Sequence, residues 1–156
     1  MKILVVSDSF KGSMTSKEVG MTICDYYQNH HLEATYFPIS DGGEGFLDAI
    51  NDSFQLEKQQ MQVEDANFNY TESAYIIDQK NKIAYLELAQ SIGLAKLDKN
   101  KLNALYASSF GFGHLIKEII LKYQIKKIII GIGGSATSDL GCGMLEALGV
   151  EFIDKD

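Results

Sequence analysis

The stretch KKIIIGIGGSATSDLGCG, residues 126–143, runs from a β-branched apolar segment into a loop of glycines and hydroxyl residues. An uninterrupted apolar run of this length fits a strand covered on both faces, as in a parallel sheet. LGCGMLEALG, which overlaps the end of the loop, has a helical pattern, and VEFID reads as the start of another strand. Strand, loop, helix and strand in that order form the unit from which parallel α/β sheets are built.

The same unit opens the chain. KILVV, 2–6, is a second continuous apolar run, followed by the loop SDSFKGS, 7–13. Thr15 and Glu18 have capping-box spacing, so a helix is expected from about Ser16, with Val19, Ile23, Tyr26 and Tyr27 as its apolar stripe and NHH at its end. EATYFPI reads as the next strand, SDGGEG, 40–45, as its loop, and GFLDAIND as a short helix. In the middle, KQQMQVEDA, ESAYIID and KIAYLEL are strand patterns joined by polar turns, with DQKNK as a hairpin signal. This region is expected to be antiparallel with one solvated face. Beyond SIGL the helical pattern returns, with Lys101–Tyr106 as one candidate and GFGHLIKEIILKY as a stronger one.

The expected fold class is therefore α/β: a parallel Rossmann-like sheet with flanking helices, plus an antiparallel hairpin region belonging to a second α/β domain. The divisions expected are 1–55 for the first α/β part, 56–95 for the strand-rich hairpin region, and 96–156 for the α/β part with the glycine-rich loop. The last of these stops as a new strand begins. A strand edge left open there would favour homo-oligomerisation.

Totals narrow the function. The chain has 156 residues, 46% of them apolar and 22% charged, which suits a globular domain rather than a disordered one. Net charge is −7 and every cation is a lysine, so neither a nucleic-acid partner nor an acidic membrane surface is expected. No apolar run approaches the ~20 residues of a membrane-spanning helix, and MKILVVSD is too short for a signal-peptide core. Cys24 and Cys142 lie far apart and form no CxxC, as in a reducing compartment, so a cytoplasmic location is expected.

The chemistry is concentrated in the loops. If the strands ending at Val6, Ile39 and Ile130 share a sheet, their loops converge at one edge, where open α/β sheets bind ligands. Gly131, Gly133 and Gly134 would let backbone N–H groups approach an anion, Ser135, Thr137 and Ser138 would add hydroxyls, and the following helix its positive end. Asp139 suits Mg²⁺ or a hydroxyl. The alternative is a glycine-rich turn serving close packing. Gly131-x-Gly133-x-x-Ala136, with Glu151 further on, also matches a dinucleotide fingerprint, although neither Lys11 nor Lys117 sits in a Walker A sequence. In SDSFKGS, Asp8, Ser9, Lys11 and Ser13 are the types needed to bind an anion and orient a nucleophile. In SDGGEG, Asp41 and Glu44 can hold a metal or accept hydrogen bonds from hydroxyls, while Gly42 and Gly43 let the backbone bend around the ligand. Ser108, Ser109, Gly111 and Gly113 offer a further nest before a helix, with His114 on that helix's face. His30 and His31 are expected in solvent.

Together these segments resemble the type I glycerate kinase family. The resemblance rests on SDSFKGSMTSKEV, SDGGEGFLDAI, LELAQSIGL, SSFGFGHLI and GIGGSATSDLGCGMLEALGVEF, in order along the chain. Family members commonly have Pro where Ser7 stands, Ala where Ser40 stands and an Asn-Asp-Gly-Gly-like run where SDLG stands. They are also longer, so the chain is expected to be the N-terminal part of the family's length. The resemblance implies transfer of the ATP γ-phosphoryl group to a hydroxyl of D-glycerate, with ATP and Mg²⁺ as cofactors and glycerate and nucleotide as partners. It assigns Lys11 to anion binding or transition-state charge, Asp8 or Asp41 to the attacking hydroxyl, and Asp139 to Mg²⁺ or to base catalysis. Ser9, Ser13, Gly42, Gly43, Glu44 and Ser109 would bind substrate, and Gly131, Gly133, Gly134, Ser135 and Thr137 phosphate. A non-catalytic phosphate-binding domain and a dinucleotide-dependent oxidoreductase remain the alternatives.

Overall fold

A computed structural model of the chain describes residues 1–10, 12–98, 100 and 102–153. Strand β1 (Lys2–Val5) leads through the first loop to helix α1 (Ser16–Asn29) and then to β2 (Glu33–Tyr36). The helix starts where its capping box places it. The Glu18 N–H donates to Thr15 Oγ1 at 3.2 Å, and the Thr15 N–H donates to Glu18 Oε2 at 2.7 Å. β1 and β2 pair in parallel, Ile3 beside Ala34 and Val5 beside Tyr36, and α1 covers one face, burying Val5, Cys24 and Ala34 together. The β-α-β unit read from the sequence is thus present. Its other face is open: Leu4 is 67% exposed, so KILV is not covered on both sides by the described residues.

The second sheet has the order β3-β4-β5-β6. β3 (Lys58–Glu64), β4 (Tyr70–Asp78) and β5 (Ile83–Glu87) are antiparallel neighbours, and β6 (Lys127–Gly131) adds to β5 in parallel. One sequence expectation is corrected here and another narrowed. The strand before the glycine-rich loop does not share a sheet with β1 and β2; its partner is β5, through Leu86–Ile130 and Glu87–Gly131 pairing. The expected solvated face of the hairpin region is confined to β3 and the start of β4, where Lys58, Gln60, Gln62 and Glu72 are exposed; further along β4, Ala74–Ile77 are all buried. Helix α2 (Phe46–Phe54) packs Leu47 against Ala74, Ile76 and Tyr85 on one side. On the other, α4 (Phe110–Lys122) packs Phe112, Leu115 and Ile119 against Val63, Tyr75, Ile77 and Leu86. Alternation in β4 therefore separates two cores rather than core from water.

After β5 the chain makes a short helix, α3 (Ala89–Ile92), and a 3₁₀ turn at Leu94–Lys96. The helix proposed at Lys101–Tyr106 does not form among the described residues there; 104–106 is a turn. The last helix, α5 (Cys142–Ala147), lies along α4, and a glycine makes that approach possible. A Cβ on Gly113 would sit 2.3 Å from the Met144 carbonyl oxygen and 2.8 Å from the Ala147 Cβ. VEFI, 150–153, which reads as a strand opening, is not in a strand. Among the described residues no helix is long and apolar enough to cross a membrane.

Candidate active site

The first two loops face each other across one cleft of 520 Å³, within the ~300–1,000 Å³ usual for small-molecule sites. Asp8, Ser9 and Ser13 line it from the first loop, followed by the opening turn of α1. Ser40, Glu44 and Gly45 line it from the second loop, Asp48, Asn51 and Asp52 from α2, and Gln90 from α3. Tyr36 and Ile39 contribute its apolar side. The first wall is held by a short network: the Ser16 hydroxyl donates to the Ser7 carbonyl at 2.6 Å and lies 2.8 Å from the Tyr36 hydroxyl. Lys17 Nζ donates to Asp52 Oδ1 at 2.8 Å, linking α1 to α2, and this contact raises the lysine's pKa above its ordinary value. The lining is acidic, since Asp8, Glu18, Glu44 and Asp48 accompany that ion pair. Lys11 lies outside the described residues.

Asp41 is exposed and does not line the cleft; its Oδ1 accepts the Gly43 N–H at 2.7 Å and so shapes its own turn. Behind that turn, the second and third loops are joined backbone to backbone. The Gly133 N–H donates to the Gly42 carbonyl at 2.9 Å. A Cβ on Gly133 would lie 2.5 Å from the Gly43 Cα, and one on Gly131 would lie 2.7 Å from the Gly42 oxygen. These four glycines serve a junction between loops, the packing alternative raised by the sequence. Ala136 donates to the Ile92 carbonyl, and the Gly134 carbonyl accepts from Leu94, which stitches the loop to α3 as well. Gly134, Ser135 and Thr137 stay at the surface, where the Ser135 hydroxyl lies 3.1 Å from that of Thr137. They do not line the cleft. The dinucleotide match is also corrected: α5 begins at Cys142, well after Ala136, and the backbone space at Gly131 and Gly133 is filled.

Asp139 and Ser109 have internal partners. Asp139 Oδ2 accepts the Ser109 N–H and O–H, both at 2.7 Å, and the Gly143 N–H at 3.2 Å, while Oδ1 accepts the Gly141 N–H at 3.2 Å. Ser109, 4% exposed, also accepts the Met144 N–H at 2.9 Å. One carboxylate thus caps the starts of both α4 and α5, with three donors on Oδ2 and one on Oδ1. Burial pushes its pKa up, but hydrogen bonds from Ser109, Gly143 and Gly141 outweigh that and hold it below the ordinary carboxylate value. These contacts give Asp139 and Ser109 a structural part beside the metal and substrate roles expected of them from the sequence. The donors at the start of α5, read from the sequence as anion-binding, are the ones this pair satisfies.

Glu87, which the sequence reading did not single out, lies behind the cleft wall. It is fully buried at the end of β5, and its carboxylate accepts the Gly45 N–H at 3.3 Å and the Leu47 N–H at 3.0 Å. The signal was present in LELAQSIGL: a lone acid closing an apolar strand is costly unless the fold gives it donors.

The order and content of these loops match known proteins. A model of the glycerate kinase family matches residues 3–156. The chain belongs to the glycerate kinase family. It is 38% identical over its whole length to the glycerate kinase of Neisseria meningitidis serogroup B, covering 42% of that protein. It is 35% identical to the glycerate 2-kinase of Escherichia coli K12, covering 41% of it. A crystal structure from Salmonella typhimurium LT2, described as a candidate glycerate kinase 2, superposes with a TM-score of 0.80 at 32% identity over 96% of this chain and 40% of that one. The chain therefore spans about two fifths of the length of the glycerate kinases it matches.

Proposed function

We propose that the chain forms the substrate cleft of an ATP-dependent glycerate kinase. The observation that carries this reading is the facing of Asp8, Ser9 and Ser13 and of Ser40, Glu44 and Asp48 across one small-molecule cleft in a chain of this family. Glycerate is a carboxylate with two hydroxyls. Its hydroxyls need acceptors, which Asp8 and Glu44 supply, and its carboxylate needs donors, which the Ser9 and Ser13 hydroxyls supply. Asp8 is the group assigned to orient the attacking hydroxyl and receive its proton. In phosphoryl transfer most of the acceleration comes from positioning and charge neutralisation, so a rigid pair of walls is what the chain must provide.

ATP is the phosphoryl donor in this reading, and Gly134, Ser135 and Thr137 remain as surface donors for one of its phosphates. Mg²⁺ usually keeps several waters and takes one or two carboxylates together with substrate phosphates. Among the described residues no group of three or more His, Cys, Asp or Glu side chains forms a ready metal cage. The separate cleft carboxylates Asp8 and Glu44 fit the looser requirement, and when bound the ion would neutralise charge on the transferring phosphate. The test is glycerate-dependent ADP release by the protein as its gene encodes it, with Asp8→Asn beside the wild type. The variant is expected to fold and to lose roughly 100-fold or more in kcat. Turnover within about threefold of wild type removes Asp8 from this role. Calorimetry that shows binding of NAD⁺ but of neither glycerate nor ATP overturns the reading as a whole.

A further inference from the structure

We propose that Glu87 is a positioning residue whose buried carboxylate sets the α2 wall of the cleft, and with it the affinity for the hydroxy-acid substrate; this rests on the kinase reading above. Helix α2 begins at Gly45, which has φ +93° and no side chain to cap the helix. The cap is supplied from another strand. Glu87 Oε2 accepts the Leu47 N–H at 3.0 Å and Oε1 accepts the Gly45 N–H at 3.3 Å. Both are donors that a helix start leaves without partners, and negative charge there is favoured by the helix dipole. Oε1 also accepts Gln90 Nε2 at 3.1 Å. Gly45 and Gln90 both line the cleft, as do Glu44 and Asp48 on either side of the capped turn.

The position of Glu87 makes it the common support for the loops. It pairs with Gly131 across β5 and β6, and the next residue, Leu88, donates to the Gly131 carbonyl at 2.9 Å. A Gly131 Cβ would lie within 3.0 Å of the Phe46 ring at the start of α2. The second loop, the third loop and α3 therefore meet around one fully buried side chain. Only a carboxylate of this reach offers two acceptor oxygens to the two backbone donors. Glutamine keeps one oxygen and turns an amide donor toward the other N–H.

The experiment compares Glu87→Gln with wild type in the gene-encoded protein by two readouts. Hydrogen exchange at the Gly45 and Leu47 amides is expected to accelerate at least about tenfold while amides of β4 and α4 keep their protection. The KM for glycerate is expected to rise about tenfold or more, with a smaller change in kcat. Unchanged exchange at the two amides overturns the proposal whatever the activity. Faster exchange with wild-type KM and kcat also overturns it, because Glu87 then serves only the fold. If the wild type shows no glycerate-dependent turnover, the kinase reading fails, and the exchange result alone decides whether Glu87 holds the wall. Should the glutamine variant fail to fold, Glu87→Asp is read the same way.

Discussion

Asp139→Asn separates a structural carboxylate from a catalytic one. The substitution preserves shape but removes the charge and replaces one acceptor with a donor. Its best orientation keeps an oxygen on Ser109, whose N–H and O–H both lie at 2.7 Å, and turns the amide nitrogen toward the Gly141 N–H. The contact to Gly141 is lost, at about 1 kcal/mol, and the two short bonds each fall from charge-assisted to neutral strength, at about 1 kcal/mol apiece. Partial exposure and relaxation reduce the sum to about 2 kcal/mol. With a urea dependence near 2 kcal/mol per molar, the unfolding midpoint should fall by about 1 M. The folded fraction should keep glycerate-dependent turnover. The depressed pKa adds a pH signature: the contribution is present above the unfolded value of about 3.9 and disappears as pH falls through the lower folded value, so the two stability curves converge in strong acid. An unchanged midpoint with turnover abolished would show that this carboxylate acts on ligand or metal, and would refute the capping account.

Gly113→Ala should cost about 2–3 kcal/mol in thermal or urea unfolding, because its Cβ would lie 2.3 Å from a backbone oxygen of α5 and the helices must separate. Gly133→Ala places a Cβ 2.5 Å from the Gly43 Cα, so titration calorimetry should show glycerate affinity falling about tenfold as the second loop is displaced. Glu64 Oε2 meets His114 Nδ1 at 2.7 Å; burial alone would raise its pKa, but the contact with His114 holds it below the ordinary value. Its stabilisation is therefore complete above about pH 4.3 and lost as pH falls through the depressed folded value, and His114→Gln should flatten that part of an acid-unfolding curve.

How far the sequence was legible depended on whether a signal was local. The start of α1 could be read to the residue because Thr15 and Glu18 carry both halves of the cap within one turn. The strands of the hairpin region and α4 followed from periodicity. Partnership between strands could not be read this way, since nothing within KKIIIG states that its neighbour is IAYLE and not KILVV. The same limit hid the partners of several candidate site residues. Glycine reports only that something comes close, and a phosphate and another glycine backbone leave the same mark; Gly133 meets Gly43. Asp139 looked free because its donors, Ser109 and Gly143 among them, come from elsewhere in the chain or from the following helix. Glu87 was overlooked for the converse reason: the Leu47 N–H that it accepts lies 40 residues earlier. Both acids cap helix starts. What distinguishes them is the wall they support: α2 lines the cleft, whereas α4 and α5 do not. Glu87→Gln should therefore change ligand affinity where Asp139→Asn changes stability alone, and the ratio of those two effects measures how far the cleft depends on its hidden cap.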